Sequence, residues 1–167
     1  KGKKIIVTGS ARGMGESTLR AYVRAGADVI GMDVTDDAGS KIVDEANTEG
    51  PGTAAYLHVD IADKDSVGKA FSEALSILGK LDALAHPAAI QRSSDAGNVS
   101  VEDWDQMFAI NVRGTMLTNQ AAHGYMKDSG GGSIINFGSI SGLRSEPSAI
   151  AYSAAKGAVH SWTRTAA

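Results

Sequence analysis

Four side chains in the second half of the sequence have the types and spacing to move a proton at a carbon–oxygen bond. Tyr152 and Lys156 stand four residues apart in AYSAAK, and on a helix that spacing puts them on one face. Ionising half of an ordinary tyrosine at neutral pH, from a pKa of about 10, costs roughly 4 kcal/mol. One ammonium about 4 Å away, at an effective dielectric of about 20, supplies a similar amount. A lysine at this spacing can therefore make the tyrosine a usable general base, whereas an alanine-rich helix can also carry the pair as exposed surface. Ser139, in NFGSISG, directly follows an apolar strand pattern, and Gly138 beside it permits close approach to a substrate oxygen. A loop or capping serine is the alternative. Trp104, Met107, Phe108 and Asn111 fall at i, i+3, i+4 and i+7, so an amide occupies the apolar stripe of a helix. A buried amide must be satisfied, so it bridges backbone groups or holds a water. Either arrangement suits a proton relay reaching Lys156, and a core asparagine at a helix bend is the other reading.

The elements that must position these groups alternate in type. KKIIVT (3–8) is a short apolar run rich in β-branched residues, as in a strand covered on both faces, and GSARGMG follows at once. Helical spacing takes over at Leu19, Tyr22 and Val23 and closes at Gly26. DVIGMD (28–33) reads as a second strand, DDAGSKIVDEANTEG as a helix halted by Gly50, Pro51 and Gly52, and AAYLHVD (54–60) as a third strand. Asp65 and Ser66 are the cap candidates for a helix whose apolar positions are Val67, Ala70, Phe71, Ala74, Leu75 and Leu78. LDALAH (81–86) is strand four, a helical stretch runs from about Val101 to Lys127, SIINF is strand five, and the last segment is a helix carrying Tyr152 and Lys156. Strands alternating with helices, and too apolar to face water, imply an α/β fold: a doubly wound parallel sheet of the Rossmann type in one domain, 1–167. Five strands are legible, so the expectation is a sheet lacking its C-terminal strands.

At the first strand-to-helix turn, TGSARGMG places Gly9, Gly13 and Gly15. Glycines there allow a tight turn and close backbone approach, and the helix N-terminus offers amides and partial positive charge to a pyrophosphate. The spacing is GxxxGxG; three glycines in a loop, among 20 in the chain, are by themselves only a turn cluster, but this position is where the fold binds phosphates. Asp33, 24 residues after Gly9 at the end of strand two, can take both ribose hydroxyls of an adenosine. A 2′-phosphate there would meet a like charge at a cost of roughly 1 to 4 kcal/mol, which favours NAD over NADP. Arg12, inside the loop, argues the other way, because a guanidinium can hold such a phosphate. Asp60 either contacts the adenine or caps a turn.

Composition excludes several classes. Hydrophobic residues make up 43% and charged residues 21% of the 167, values of a globular chain that can bury a core. Net charge is −3 and the 16 basic residues are scattered, so no basic stripe for nucleic acid is expected. There is no cysteine, and the four histidines show no ligand spacing. No apolar run approaches the ~20 residues a bilayer requires, so neither a membrane span nor a leader is expected and the location read is cytoplasmic.

Gly9, Gly13 and Gly15 in TGxxxGxG, Asn111 in NVRG, Ser139 thirteen residues before Tyr152, and the YxxxK pair together resemble the short-chain dehydrogenases/reductases. The resemblance implies an enzyme that interconverts a small-molecule secondary alcohol and a ketone with NAD, NADP being the lesser candidate. By it, Tyr152 is the acid/base, Lys156 lowers its pKa and binds the nicotinamide ribose, Ser139 orients the substrate oxygen and Asn111 supports the relay. It also implies a cofactor site of Gly9, Arg12, Gly13, Met14, Gly15, Asp33, Asp60, Ile61 and Ala88 together with Tyr152 and Lys156, and a homo-oligomer, a tetramer, built on the 101–127 and final helices. One departure stands out: the family's Asn-Asn-Ala-Gly is His86, Pro87, Ala88 and Ala89 here. Proline lacks an amide hydrogen and alanine lacks glycine's torsional freedom, so the local cofactor contacts are expected to differ from the family's. His86 is a pocket residue or a strand-end histidine satisfied locally. Segments 90–99 and 139–150 should line the substrate side, with Arg92 and Arg144 as anion receivers or solvated surface. A nucleotide-binding module without turnover, or an epimerase or dehydratase using the same tyrosine, are the alternatives.

Overall fold

A computed structural model describes every residue of the chain except Ser145. Five strands form one parallel sheet: β1 (Lys4–Thr8), β2 (Asp28–Asp33), β3 (Thr53–His58), β4 (Ala83–His86) and β5 (Ser133–Asn136), in the order β3-β2-β1-β4-β5. Because all five run the same way, Thr8, Asp33, His58, His86 and Asn136 come to one edge of the sheet, and the loops that follow them converge there. The β1–β2 and β4–β5 registers are regular, with Val7 opposite Gly31 and His86 opposite Asn136.

The apolar runs predicted as strands are buried because helices cover both faces. On one face α1 (Gly13–Arg24) and α2 (Asp36–Ala46) bury Leu19, Val23, Ile42 and Val43 against Ile5, Val7 and Val29. On the other, α3 (Lys64–Leu78) and α5 (Gly114–Lys127) bury Phe71, Leu78 and Met126 against Ile6, Ile30 and Leu84. Each large apolar side chain buried in this way contributes roughly 1.5 to 3 kcal/mol. A third cluster joins Met107 of α4 (Val101–Phe108) to Ala151 and Ala155 of α6 (Ile150–Ala166). No helix among the described residues is long and apolar enough to cross a membrane.

Helix boundaries differ from the periodicity in instructive ways. α3 is capped by Asp63, whose carboxylate accepts from the Ser66 amide at 2.7 Å, and not by Asp65 or Ser66 as expected. Ser66 instead receives the Asp60 amide on its hydroxyl. α2 stops at Ala46, short of the glycine cluster, because the Asn47 side chain clasps the backbone of Ala54 through both N–H and C=O. The stretch from Val101 to Lys127 is helical throughout but contains a π-helical turn at Ala109–Arg113 between α4 and α5.

Candidate active site

The glycine turn builds the first half of the site. Gly9 has φ +62°, and a Cβ there would stand 2.7 Å from the Cα of Ala88, so the two strand-end loops touch backbone to backbone. At Gly15 a Cβ would lie 1.9 Å from the Gly9 carbonyl oxygen, which requires glycine where the helix meets the turn. Beside Gly13, by contrast, space is open out to 4 Å, and Arg12 makes no side-chain cap to α1. The first turn of α1 therefore presents its amides toward a cradle that a side chain would obstruct, which fits a pyrophosphate.

That cradle is the floor of a cavity of about 370 Å³ lined by Gly9, Arg12, Gly13, Met14, Gly15, Asp33, Asp60, Ile61 and Ala88. Nine residues named from the sequence as cofactor contacts thus share one cavity, joined by Pro87, Ala89 and Ile90, named only for the altered motif and the substrate side, and by Val34 and Ile110, which the sequence did not single out. Asp33 accepts from the Ala11 amide at 3.1 Å on one oxygen and from the Thr35 amide at 3.0 Å on the other, so its carboxylate is fixed at the rim with lone pairs to spare. Asp60 accepts from the Ala62 amide at 2.9 Å, so it stabilises a turn while it lines the cavity. Among the described residues Ser148 is the one non-glycine with positive φ, so Ala89 sits in the family's glycine position without left-handed backbone.

The second half gathers around α6. The Lys156 ammonium, in a residue only 5% exposed, donates to the Phe137 carbonyl at 2.6 Å and lies 5.7 Å from the centre of the Tyr152 ring. Burial pushes its pKa below the ordinary lysine value. No carboxylate pairs with it among the described residues. Ser139 stands just past β5, where its hydroxyl caps the short 3₁₀ turn Ile140–Gly142 and meets the Ser141 hydroxyl at 3.2 Å. Ser141 in turn bonds Glu146. Asn111 lies in the π turn, where its amide clasps Ile90 by accepting from the N–H at 2.9 Å and donating to the C=O at 2.8 Å. Of the alternatives open for a buried amide, the side chain takes the backbone bridge; its own carbonyl accepts the Thr115 hydroxyl at 2.8 Å.

His160 escaped the sequence reading, although it continues the Tyr152, Lys156 spacing at i+8. Its Nε2 lies 2.9 Å from the Ser139 carbonyl, and Gly138 leaves the room its ring needs, since a Cβ there would fall 2.4 Å from it. Segments 90–99 and 139–150 meet through a parallel bridge of Ser94 with Ala149, and Ser148 donates to Asp95 at 2.9 Å; Ser145, inside the second segment, lies outside the described residues. Arg92 is paired with Asp103 at 2.5 Å, while Arg144 is exposed. Among the described residues no group of three or more His, Asp or Glu side chains is arranged to hold a metal ion.

A parallel sheet that ends in a glycine-lined anion cradle and an acidic rim defines a Rossmann-like nucleotide-binding domain. The chain belongs to the short chain dehydrogenase family, whose pattern matches residues 3–167. It is 36% identical over 165 residues to the cyclopentanol dehydrogenase of Comamonas testosteroni, covering 99% of this chain and 66% of that protein. It is 37% identical over 166 residues to the sorbitol dehydrogenase of Cereibacter sphaeroides, covering 99% of this chain and 63% of the relative. A crystal structure of a short chain dehydrogenase from Mycobacterium smegmatis superposes with a TM-score of 0.97 at 28% identity, covering 100% of this chain and 70% of that one. The chain thus spans just under two thirds of the length of these curated relatives.

Proposed function

We propose that this chain carries the cofactor-binding and catalytic part of an NAD-preferring oxidoreductase that interconverts a secondary alcohol and a ketone, with Tyr152 as general acid/base. The observation that carries the reading is the Lys156 ammonium, buried without a carboxylate partner among the described residues and 5.7 Å from the Tyr152 ring centre. A buried cation with no anion to neutralise it favours negative charge on the neighbouring phenol. In oxidation Tyr152 Oη takes the alcohol proton, Ser139 Oγ donates to the substrate oxygen, and Lys156 holds the phenolate charge. Asn111 fixes the Ile90 backbone at the cavity wall and supports the relay toward Lys156. When bound, a nicotinamide dinucleotide supplies the redox chemistry at the carbinol carbon. The amides and glycines of the first turn would hold its pyrophosphate, and Asp33 its adenosine ribose, with Asp60, Ile61 and Ala88 along the wall.

Relatives named for cyclopentanol and sorbitol support alcohols as the substrate class. The proposal extends to a cytoplasmic homo-oligomer, supported by an open cavity of about 760 Å³ whose apolar wall includes Phe108, Val112, Val159 and Trp162. Arg12 supports NADP as a second reading, because it is exposed on the cofactor cavity and has no ion pair among the described residues.

Titration calorimetry with NAD and NADP on native and Asp33→Ala protein tests the cofactor, and alcohol oxidation by native and Tyr152→Phe protein tests the chemistry. The expected results are preferential NAD binding that relaxes toward NADP in Asp33→Ala, and turnover that falls at least about a hundredfold in Tyr152→Phe. A folded protein that binds neither dinucleotide is not a working dehydrogenase, and its family likeness then describes ancestry more than activity; one that binds a dinucleotide without turning anything over is a nucleotide-binding module. Binding without Tyr152-dependent alcohol oxidation turns the reading toward epimerisation or dehydration.

A further inference from the structure

His86 closes β4 beside the reactive residues, and the proton relay described above makes no use of it. Its side chain is 3% exposed, and its Nε2 is a buried nitrogen without a hydrogen-bond partner. The other ring nitrogen is held twice: Nδ1 lies 2.7 Å from the Thr8 hydroxyl and 3.3 Å from the Thr118 hydroxyl. Thr118 already donates its proton to the Gly114 carbonyl at 2.9 Å, so toward His86 it offers only lone pairs. A proton on Nδ1 therefore satisfies both threonine oxygens, and the same tautomer leaves Nε2 with a bare lone pair in the interior. An unmade hydrogen bond there carries the full desolvation cost of a buried acceptor, which a donor to Nε2 would remove.

The matching unmet donors belong to Lys156. An ammonium has three N–H groups, and Lys156 directs one of them to the carbonyl of Phe137. Phe137 is one residue past Asn136, and Asn136 is the register partner of His86, so imidazole and ammonium share the same corner of the sheet edge. Asn136 does not meet the need of His86, because its amide is engaged with Asn119 and Thr163. Around the ring, β1 brings Thr8, α5 brings Thr118, β5 brings Asn136, and α6 brings the charged group, Lys156.

We propose that His86 is a positioning residue for Lys156: held as the Nδ1–H tautomer, it accepts on Nε2 a hydrogen bond that the ammonium delivers through one buried water. A single water can join two such groups where polar partners on two sides hold it. The neutral ring gives the ammonium a second acceptor without giving it a counter-charge, so the cation is anchored while its field stays available to Tyr152. Burial, and after it the charge of Lys156, hold the His86 pKa at about 3, which keeps the ring neutral throughout the working range. The consequence for turnover rests on the alcohol–ketone reading of the site; the tautomer and its coupling to Lys156 do not.

Nitrogen chemical shifts of the histidine rings in ¹⁵N-labelled, dinucleotide-free protein test the structural claim, with His86 assigned by its loss in His86→Asn. The expected spectrum has Nδ1 protonated and Nε2 an acceptor between about pH 5 and pH 8, and Lys156→Met moves the Nε2 signal toward that of a free lone pair. An Nε2–H tautomer, or an Nε2 signal indifferent to Lys156→Met, overturns the proposal. In turnover, His86→Leu is expected to lower kcat about tenfold with cofactor affinity kept, the value of one hydrogen bond to a charge. His86→Gln, which can still accept, should restore most of it; equal loss in both overturns the positioning role. If the spectrum is as expected but native protein oxidises no alcohol, the functional reading fails alone.

Discussion

Acid is the perturbation that His86 answers most sharply. The unfolded chain binds a proton on this histidine at a pKa of about 6.5. In the native fold, burial and the nearby Lys156 charge hold it back until about 3. Between these values the unfolded state carries the extra proton, so native stability falls as pH falls; above about 6.5 the ring contributes nothing to the pH dependence, and below about 3 the loss levels off. Each pH unit inside the window is worth about 1.4 kcal/mol, so at about pH 4.5 the loss is roughly 3 kcal/mol. The assay is the urea midpoint of native and His86→Asn protein, without dinucleotide, at about pH 7 and about pH 4.5, converted with the measured slopes. Asp28 and Asp82, whose carboxyls lie below their ordinary range through hydrogen bonds led by Lys4, also weaken the fold in acid, but they do so in both proteins and cancel. His86→Asn should therefore lose roughly 3 kcal/mol less than native on acidification. Parallel losses would refute the claim that a buried, neutral imidazole sits at the end of β4.

Two further perturbations read the site's framework. Asn111→Leu keeps the γ-branched shape but leaves the Ile90 N–H and C=O without partners, so the urea midpoint should fall by the equivalent of roughly 2 to 4 kcal/mol, and a loss under about 0.5 kcal/mol would contradict the clasp. Gly15→Ala drives a Cβ into the Gly9 carbonyl with no flexible atom to yield, so dinucleotide affinity in titration calorimetry should fall at least about tenfold. The same substitution at Gly68, in α3 with open space around it, should raise the melting midpoint by the equivalent of about 0.5 to 1 kcal/mol, and equal effects at the two positions would sink the steric argument.

Caps and helix ends were the least legible features. Asp60, Asp63, Asp65 and Ser66 all carry capping groups within seven residues, and only the extended backbone at Asp63, φ −102° and ψ 122°, selects one of them. The π turn leaves no mark on the Trp104, Met107, Phe108, Asn111 pattern, because those spacings fit an ordinary helix and the extra residue is absorbed just where Asn111 turns to Ile90. The glycine turn was legible for the opposite reason, since its requirements are local: positive φ at Gly9 and Gly13 and no room for a Cβ at Gly15.

The order of strands and helices, the glycine turn, the acidic end of β2 and the shared face of Tyr152 and Lys156 follow from residues close together in the chain, where periodicity and spacing act directly. The state of His86 does not. Its tautomer depends on Thr8, 78 residues earlier, and on Thr118, 32 residues later, and its neutrality on burial by helices that its own neighbours in sequence do not form. Likewise Asn111 is satisfied by Ile90, 21 residues before it, and Lys156 by a carbonyl 19 residues before it. Local pattern names the groups able to do chemistry; which of their hydrogen bonds are made, and which charges stay unpaired, is decided when the parallel sheet brings the ends of distant strands to one edge.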